Sequence, residues 1–249
     1  MAQCGRRERG GATLTVTLTL TLTLTLTLAL TLALALALAL ALALALSEVV
    51  RALHAGAVCS LVLRGAPVDA HDNDTICAPA ARALAAGLAA NMGTLSTLAL
   101  TDMKLSAEGL RVMLHALRGS GALRRLDLSN LCSRWTVTNT LGRERGALLA
   151  ELIRGWPGLE ALVLADCTLA EGCAPVAAAL RGLAALEEVD LTFNEMDEAA
   201  ASVLARSLQG KPRLRSVALE GNALGPRARS AIKEVLRGWW GSYHRSTEF

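Results

Sequence analysis

The sequence predicts an α/β solenoid of five to six stacked units, each with one strand and one helix, with a parallel sheet on the concave face and the helices on the convex face. Two observations lead to this prediction: a leucine pattern that recurs at about 28 residues, and a glycine at a fixed distance before most of its copies. Composition agrees, because 53% of residues are hydrophobic and only 3% aromatic. Disordered chains and basic chains that wrap nucleic acid have the opposite balance.

The leucine pattern reads L-x-x-L-x-L-x-x-(N/C)-x-(L/M), and its last three copies are the clearest. In chain order, copies begin at Val58, Leu95, Leu123, Leu159, Leu186 and Leu214. The starts are 37, 28, 36, 27 and 28 residues apart, so two units carry insertions of about eight or nine residues. Leu-x-Leu is typical of a strand with alternate residues inward, and stretches such as Ser106–Leu117 and Ala199–Leu208 have helical spacing.

A glycine preceded by Arg or Gln stands four residues before four of these starts. These glycines are Gly119, Gly155, Gly182 and Gly210. They are typical of the residue that ends a helix, and Pro157 and Pro212, two residues before the next leucine, cannot continue one. The signature recurs once more near the C-terminus, but Ser242 takes the next leucine position. We therefore expect the array to end at residue 241, with Trp239 and Trp240 covering the last unit.

The N/C position of the pattern has a defined task. Asn there hydrogen-bonds backbone groups that are left unpaired as the chain turns out of the strand. In chain order the position holds Ala66, Met103, Leu131, Cys167, Asn194 and Asn222. The first three units should lack this bonding, so the N-terminal half is predicted to be less regular.

The repeated pattern resembles the leucine-rich repeat, and its 28-residue period with a long helical half resembles the ribonuclease-inhibitor class. The stretch from Leu186 to Leu236 is similar to the last repeats of Ran GTPase-activating proteins. The similarity lies in an N-E-M turn, an alanine-rich helix, and LEGNALG followed by an IKEVL helix. That family has about twice as many repeats and an acidic tail, whereas this chain ends in RGWWGSYHRSTEF.

The chain is predicted to comprise a basic tail (1–12), a low-complexity tract (13–46), the repeat domain (47–241) and a C-terminal tail (242–249). In the tract every even position is Leu, except Val16, and every odd one is Thr or Ala. Three interpretations stay open: a membrane helix, since the tract exceeds the ~20 apolar residues that span a bilayer; an expansion without function; or an expansion whose end caps the array. A signal peptide has a much shorter apolar region, of ~7–15 residues.

Enzyme signatures are missing from the sequence, which has no nucleotide-binding, zinc-protease or serine-hydrolase motif. The six cysteines lack metal-site spacing, and the acidic run Asp69–Asp74 lacks the glycine and distal Glu of a calcium loop. We therefore expect a non-enzyme with no catalytic residue, cofactor or metal. Reduced cysteines indicate a cytoplasmic protein, and a monomer is expected. The nuclear envelope or another membrane is the alternative if the tract spans a bilayer.

The outward strand positions and the residues after each strand are acidic. They comprise Asp102, Asp127, Asp166, Glu188, Asp190 and Glu220 against Arg64 and Arg125. The chain carries a net charge of +3, so its positive charge must lie on helices, loops and ends. Such a face attracts a basic protein surface and repels nucleic acid. The alternative is that these carboxylates only keep an exposed sheet soluble.

The predicted partner is a protein. The predicted contact residues are Asp102, Arg125, Asp127, Asp166, Glu188, Asp190, Thr192, Phe193, Glu220, Arg134 and Trp135. The last two lie in the second insertion, Cys132–Gly146, which is either a binding loop or an ordinary charged loop; Arg and Trp dominate binding hot spots.

The resemblance implies that the partner is a small GTPase of the Ran type with a basic surface, whose GTP hydrolysis the chain accelerates. The alternative is a NOD-like-receptor-type or membrane-tethered recognition module without that activity.

Overall fold

The structure, a computed structural model, describes residues 12–17, 48–53, 58–64, 78–103, 107–130, 139–237 and 247–248. Within these ranges eight strands form one parallel sheet, and each strand pairs with the next one along the chain. A parallel sheet in strict chain order, with helices between its strands, is the topology of a stacked strand–helix array. The predicted α/β class with a parallel sheet is therefore confirmed.

The strands are β1 (Ala12–Thr17), β2 (Val58–Arg64), β3 (Thr97–Thr101), β4 (Arg125–Asp127), β5 (Ala161–Val163), β6 (Glu188–Asp190), β7 (Ser216–Ala218) and β8 (Thr247–Glu248). The helices are α1 (48–53), α2 (Ala78–Ala90), α3 (Ala107–Ala116), α4 (Gly142–Ile153), α5 (Cys173–Ala179), α6 (Glu198–Leu208) and α7 (Pro226–Arg237). Short 3-10 turns, Ala170–Gly172 and Leu180–Gly182, flank α5. Helices α3 and α6 match the two predicted helical stretches to within one residue.

The core follows the leucine pattern. The parallel register aligns one inward row, Leu61, Leu98, Leu126, Leu162, Val189 and Val217, and each of these side chains is at most 1% exposed. Helix residues such as Leu114, Leu149 and Leu204 are fully buried in the same cluster. Burying a leucine contributes roughly 1.5–3 kcal/mol, so each unit is stabilised chiefly by its contacts with its neighbours.

The two ends of the sheet are formed by segments outside the predicted repeat domain. Strand β1 pairs with β2, so that Leu14 lies beside Leu61 and Val16 beside Leu63. Strand β8 takes two residues of the predicted C-terminal tail and pairs with β7. The end of the low-complexity tract, where we placed the cap, and the Trp239–Trp240 pair lie outside the described residues. Among the helices of the described ranges, none has the length and apolar character needed to cross a bilayer.

Two of the four predicted helix-ending glycines have the expected conformation. Gly119 and Gly210 have φ of 77° and 69°, in the left-handed region that favours glycine. Gly155 and Gly182 do not adopt a left-handed φ. Near both, the helix tightens before it ends, because Gly155 donates to the Leu152 carbonyl three residues back and Gly182 closes a 3-10 turn.

Helix α4 corrects the extent predicted for the second insertion. The loop was expected to run to Gly146, but α4 already begins at Gly142. Gly146 then faces Gly172, just before α5, so closely that an added Cβ would lie 2.8 Å from the Gly172 Cα. The glycines are therefore required here for close packing of one repeat on the next.

Candidate functional site

The strand side chains that point away from the core form three aligned rows, which we call the open strand face. The first row is Ser60, Thr97, Arg125, Ala161, Glu188 and Ser216. The second row is Val62, Ala99, Asp127, Val163, Asp190 and Ala218. The third row, at the carboxyl ends of the strands, is Arg64, Thr101, Ser129, Ala165, Thr192 and Glu220.

Arg125 neutralises part of the acidic charge at the centre of this face. Its guanidinium lies 2.7 Å from Glu188 Oε2 and 3.6 Å from Asp127 Oδ2. Arg125 and Glu188 are two strands apart in the first row, about 10 Å by strand spacing. They meet because the residue between them, Ala161, is small.

Two of the predicted carboxylates also hold the turns that follow their strands. Asp190 Oδ1 accepts hydrogen bonds from the Thr192 backbone N–H at 2.9 Å and from its hydroxyl at 2.8 Å. Asp127 Oδ1 accepts the same pair of bonds from Ser129, at 3.1 and 2.5 Å. Such bonds to the residue two positions on fix the local backbone. Asp190 therefore fixes the position of Thr192 on the open strand face.

Asp102 does not belong to a surface that a partner can reach. Its side chain is only 3% exposed, and it lies 3.6 Å from the Arg64 guanidinium. The residue has φ of 56° and lies in the turn after β3, where its side chain is buried. Asp102 therefore offers almost no surface to a partner and is left out of the contact residues proposed below. Arg134 and Trp135 lie outside the described residues.

Asp166 and Phe193 occupy the equivalent turn position two and three units further along the chain. Both are half-buried and left-handed, with φ of 55° and 52°. Their backbone N–H groups donate to the Thr192 and Glu220 carbonyls of the neighbouring unit at 2.8 Å each. The Phe193 ring lies against the backbone of Gly221 and leaves no room for a side chain there. Turn and third-row residues of successive units are thus brought side by side.

The carboxylates create a strongly negative environment behind the face. The Cys167 thiol is fully buried, and burial raises its pKa well above the ordinary value; the carboxylates of Asp127, Asp166, Asp190 and Asp102 raise it further. Asp190 and Glu220 form no ion pair within the described ranges, and Glu220 is exposed. The acidic character therefore persists most clearly on β6 and β7.

An asparagine ladder holds the turns beneath the face, as predicted for Asn194 and Asn222. Asn194 Oδ1 accepts from the backbone N–H groups of Cys167 and Leu169 at 3.1 and 3.3 Å. Its Nδ2 donates to the Leu164 carbonyl of the preceding unit at 2.6 Å. Asn222 repeats this arrangement one unit on. The prediction for these two residues is confirmed.

Asn139 extends the ladder where the sequence analysis had assigned Leu131. Its Nδ2 donates to the carbonyls of Leu100 and Leu128 at 2.7 and 2.9 Å. The third unit therefore does make this bonding, contrary to our prediction. Asn139 follows Leu131 by eight residues, which is about the length inferred for the insertion. This agreement could have identified Asn139 as the ladder residue from the sequence.

A second set of bonds, which we call the inter-repeat caps, was missed entirely. Each cap is a side chain just after a helix that donates to a backbone carbonyl at the end of the preceding helix region. The donors are Asn91 to Leu53 at 2.6 Å, Ser120 to Met92 at 2.8 Å, Trp156 to Leu117 at 2.7 Å and Lys211 to Leu183 at 2.7 Å. Helix carbonyls need such partners at every helix end.

In the described part of the chain, no group of three His, Cys, Asp or Glu side chains is arranged to hold a metal ion. The two fully buried thiols of this part, Cys167 and Cys173, are free. Burial raises the pKa of Cys173 to about 12, with smaller contributions from Asp197 and Glu195. Thiols in this state are poor nucleophiles.

Comparison with known proteins agrees with the fold. Ribonuclease inhibitor from pig (Sus scrofa) is 34% identical over 143 residues, which cover 56% of this chain and 30% of that protein. The chain thus spans less than a third of the length of this curated relative. No family model matches the chain.

A solved structure supports the same fold. The tropomodulin C-terminal domain from Caenorhabditis elegans aligns with a TM-score of 0.52 and 18% identity over 63% of this chain and 91% of that one. The leiomodin-1 actin-binding site 2 aligns with a TM-score of 0.48 and 14% identity over 61% and 85% of the two chains. The parallel strand–helix array and the ribonuclease-inhibitor similarity are consistent with a leucine-rich-repeat type of fold.

Proposed function

We propose that this chain is a protein-binding scaffold that holds a basic surface of a partner protein against the carboxyl ends of β5, β6 and β7. The observation that supports it best is the set of acidic residues that lie on the outward side of β6 or directly after β5 and β7, of which Asp190 and Glu220 have no ion pair within the described ranges. Complementary charge speeds encounter and selects partners. The contact residues of this proposal are Asp166, Glu188, Asp190, Thr192, Phe193 and Glu220.

The finer geometry belongs to the same proposal. A horseshoe of five to six repeats would make the open strand face concave, so that rows from several units contact one partner together. Phe193 would supply the apolar part of the contact, since it is the one aromatic side chain described at these turns. Arg125 and Asp127 would contribute through their pairing with Glu188 and with each other.

The similarity to ribonuclease inhibitor supports a binding role. That protein is named for inhibiting a ribonuclease, and 56% of the present chain aligns with it. A chain that acts by contact needs an ordered face and no reactive group of its own. The Asp190–Thr192 turn and the asparagine ladder supply such order on the proposed surface.

Affinity capture with a matched control tests the proposal. Asp190→Lys with Glu220→Lys reverses two charges on the open strand face. Glu108→Lys with Glu234→Lys makes the same change in net charge at exposed helix positions outside that face. Partners should lose at least tenfold in affinity, about 1.4 kcal/mol, with the first variant and less than twofold with the second. Equal losses, or no loss with either variant, would contradict it.

Regulation of a Ran-type GTPase stays a prediction that depends on the C-terminal resemblance. If it is correct, single-turnover GTP hydrolysis by such a GTPase should accelerate when this chain is added, and Asp190→Lys should reduce the acceleration. No acceleration at saturating concentrations would reject the GTPase and leave the scaffold proposal intact. Cytoplasmic location and the monomeric state are likewise predictions.

A further inference from the structure

Charge is segregated between the two edges of the sheet. The amino edge is where helices turn into strands, and its described segments, 117–124, 154–160, 180–187 and 209–215, contain seven Lys or Arg and two Glu. The carboxyl edge is where strands turn into helices. Its described segments, 101–103, 128–130, 139–141, 164–172, 191–198 and 219–226, together with Arg64 at the end of β2, contain seven Asp or Glu and one Arg, which pairs with Asp102.

Exposed arginines recur along the amino edge, and we call Arg118, Arg154, Arg181 and Arg213 together the arginine ridge. Arg118, Arg154 and Arg181 occupy the same place in successive units, immediately before the repeat glycine, and Arg213 follows the next glycine by three residues. Arg118 has an exposed ion pair with Glu151 at 3.2 Å. Arg154, Arg181 and Arg213 form no ion pair within the described ranges.

The ridge is not needed to finish the helices it follows. The carbonyl of Leu117 already accepts from Trp156 Nε1, and that of Leu183 accepts from Lys211 Nζ. At the end of α4 the carbonyls of Leu152 and Ile153 accept backbone bonds from Gly155 and Trp156. The inter-repeat caps and these turns therefore do the work that basic side chains perform at many helix C-termini.

We propose that the arginine ridge is a second interaction surface, which binds an extended acidic segment of a partner protein. Neighbouring packed helices are about 8–10 Å apart, so one arginine recurs at roughly this interval. An extended chain advances about 3.3 Å per residue, so every third residue of the partner would reach an arginine. Arginine pairs with carboxylates through two parallel hydrogen bonds, which favours Glu or Asp at those places.

The shape of the charge favours an extended peptide over a broad polyanion. Carboxylates are interspersed with arginines near the ridge, because Glu151 pairs with Arg118, Glu160 with Arg124 and Glu187 with Arg215. A duplex nucleic acid or an anionic membrane would have to approach these carboxylates as well as the arginines. A single peptide strand can follow the ridge and avoid most of that repulsion.

A labelled peptide of about ten glutamates tests the proposal by fluorescence anisotropy at low salt. The ridge variant is Arg154→Glu with Arg181→Glu. The control is Arg82→Glu with Arg227→Glu, which changes net charge equally at exposed arginines outside the ridge. The ridge variant should bind at least tenfold more weakly than the wild type, and the control within about threefold of it. Equal loss in both variants would show attraction to net charge alone and overturn the proposal.

Two further measurements keep the outcome decisive. Thermal melts should show both variants folded; if the ridge variant is not, Arg154→Gln with Arg181→Gln replaces it. Duplex DNA and anionic vesicles serve as alternative probes, and ridge-dependent binding of either that is tighter than that of the peptide would overturn the assignment. Asp190→Lys with Glu220→Lys should leave peptide binding intact or strengthen it, which separates this surface from the open strand face.

Discussion

The carboxyl and amino edges of the sheet both use side-chain donors to satisfy backbone carbonyls, but the donors differ in type. At each edge, a side chain of one unit donates a hydrogen bond to a backbone carbonyl of the unit before it. At the carboxyl edge the amide donors are Asn139, Asn194 and Asn222. At the amino edge the donors are the side chains of Asn91, Ser120, Trp156 and Lys211.

The difference shows what restricts residue choice at a repeated position. Asn194 accepts two backbone N–H bonds and donates to a carbonyl of the preceding unit, all from a fully buried site. A short side-chain amide combines an acceptor with two donors at that length. At the amino edge Ser120, Trp156 and Lys211 only donate, so a hydroxyl, an indole or an ammonium group can each fill the position. Asn91 is the exception, because its Oδ1 also accepts from the Val58 backbone N–H at 2.8 Å.

The largest effect is expected at the carboxyl edge. Asn194→Ala leaves two backbone N–H groups and the Leu164 carbonyl without this partner in a buried site. We expect a loss of about 3–5 kcal/mol in the free energy of unfolding, measured by chemical denaturation. Asn222→Ala, at a half-buried site, should cost less. A loss below about 1 kcal/mol for Asn194→Ala would show that the ladder is not what stabilises the turns.

A smaller effect is expected at the amino edge. Trp156→Phe removes the donor to the Leu117 carbonyl, which also accepts from the Ser120 backbone N–H, together with part of a fully buried ring system. The expected loss is about 2–3 kcal/mol. Ser120→Ala, which removes the cap one unit earlier, should cost about 1 kcal/mol. If Trp156→Phe equals Asn194→Ala in the same denaturation experiment, the two edges are equally demanding and the contrast fails.

Two helix-ending glycines, Gly210 and Gly182, can be compared directly, because their alanine variants should differ by about 1 kcal/mol in stability. Gly210→Ala places a Cβ on a left-handed residue, which costs about 1–2 kcal/mol, whereas Gly182 is not left-handed and has open space around it. Gly182→Ala should be neutral or slightly stabilising, because alanine reduces the freedom of the unfolded chain. Melting temperatures of the two variants should differ accordingly. Similar values would mean that the left-handed turn is not a requirement of this edge.

Lys211→Met should change the pH dependence of stability. The lysine is 3% exposed, and burial lowers its pKa from the ordinary 10.5. Between the lowered pKa and 10.5 the folded chain binds fewer protons than the unfolded chain, so the stability of the wild type should rise with pH in that window. Denaturation of Lys211→Met should lack this rise. Parallel pH profiles for both proteins would show that the ammonium is not desolvated.

The contrast between the edges also decides what could be predicted. Asn194 and Asn222 were found because one residue type repeats at one spacing. Asn139 was missed because an insertion displaced it from that spacing. The donors of the inter-repeat caps are four different residue types, so no repeated residue in the sequence marks these positions. The Arg125–Glu188 pair joins residues 63 positions apart across an intervening strand, which only the alignment of the sheet reveals.

The open strand face was predicted in outline and corrected in detail. The acidic residues on β6 and β7 were found because alternation along a strand fixes which side chains point outward. The burial of Asp102 has no signal in the sequence, because Asp166 and Phe193 have the same left-handed turn conformation and are only half-buried. The turns at Asp127 and Asp190 did carry a signal, an Asp two residues before Ser or Thr, which we interpreted only as charge.

The contact between Gly146 and Gly172 has a consequence for curvature. A stacked array bends because its helices need more room than its strands, which lie about 4.8 Å apart. Because the contact between α4 and the start of α5 is made by two glycines, the two helices lie closer together, and the angle between the two units is smaller. The array should therefore bend least at this junction, between the unit that carries the second insertion and the regular units after it. A larger residue at either glycine would open the angle and change the spacing between the two halves of any surface that spans it.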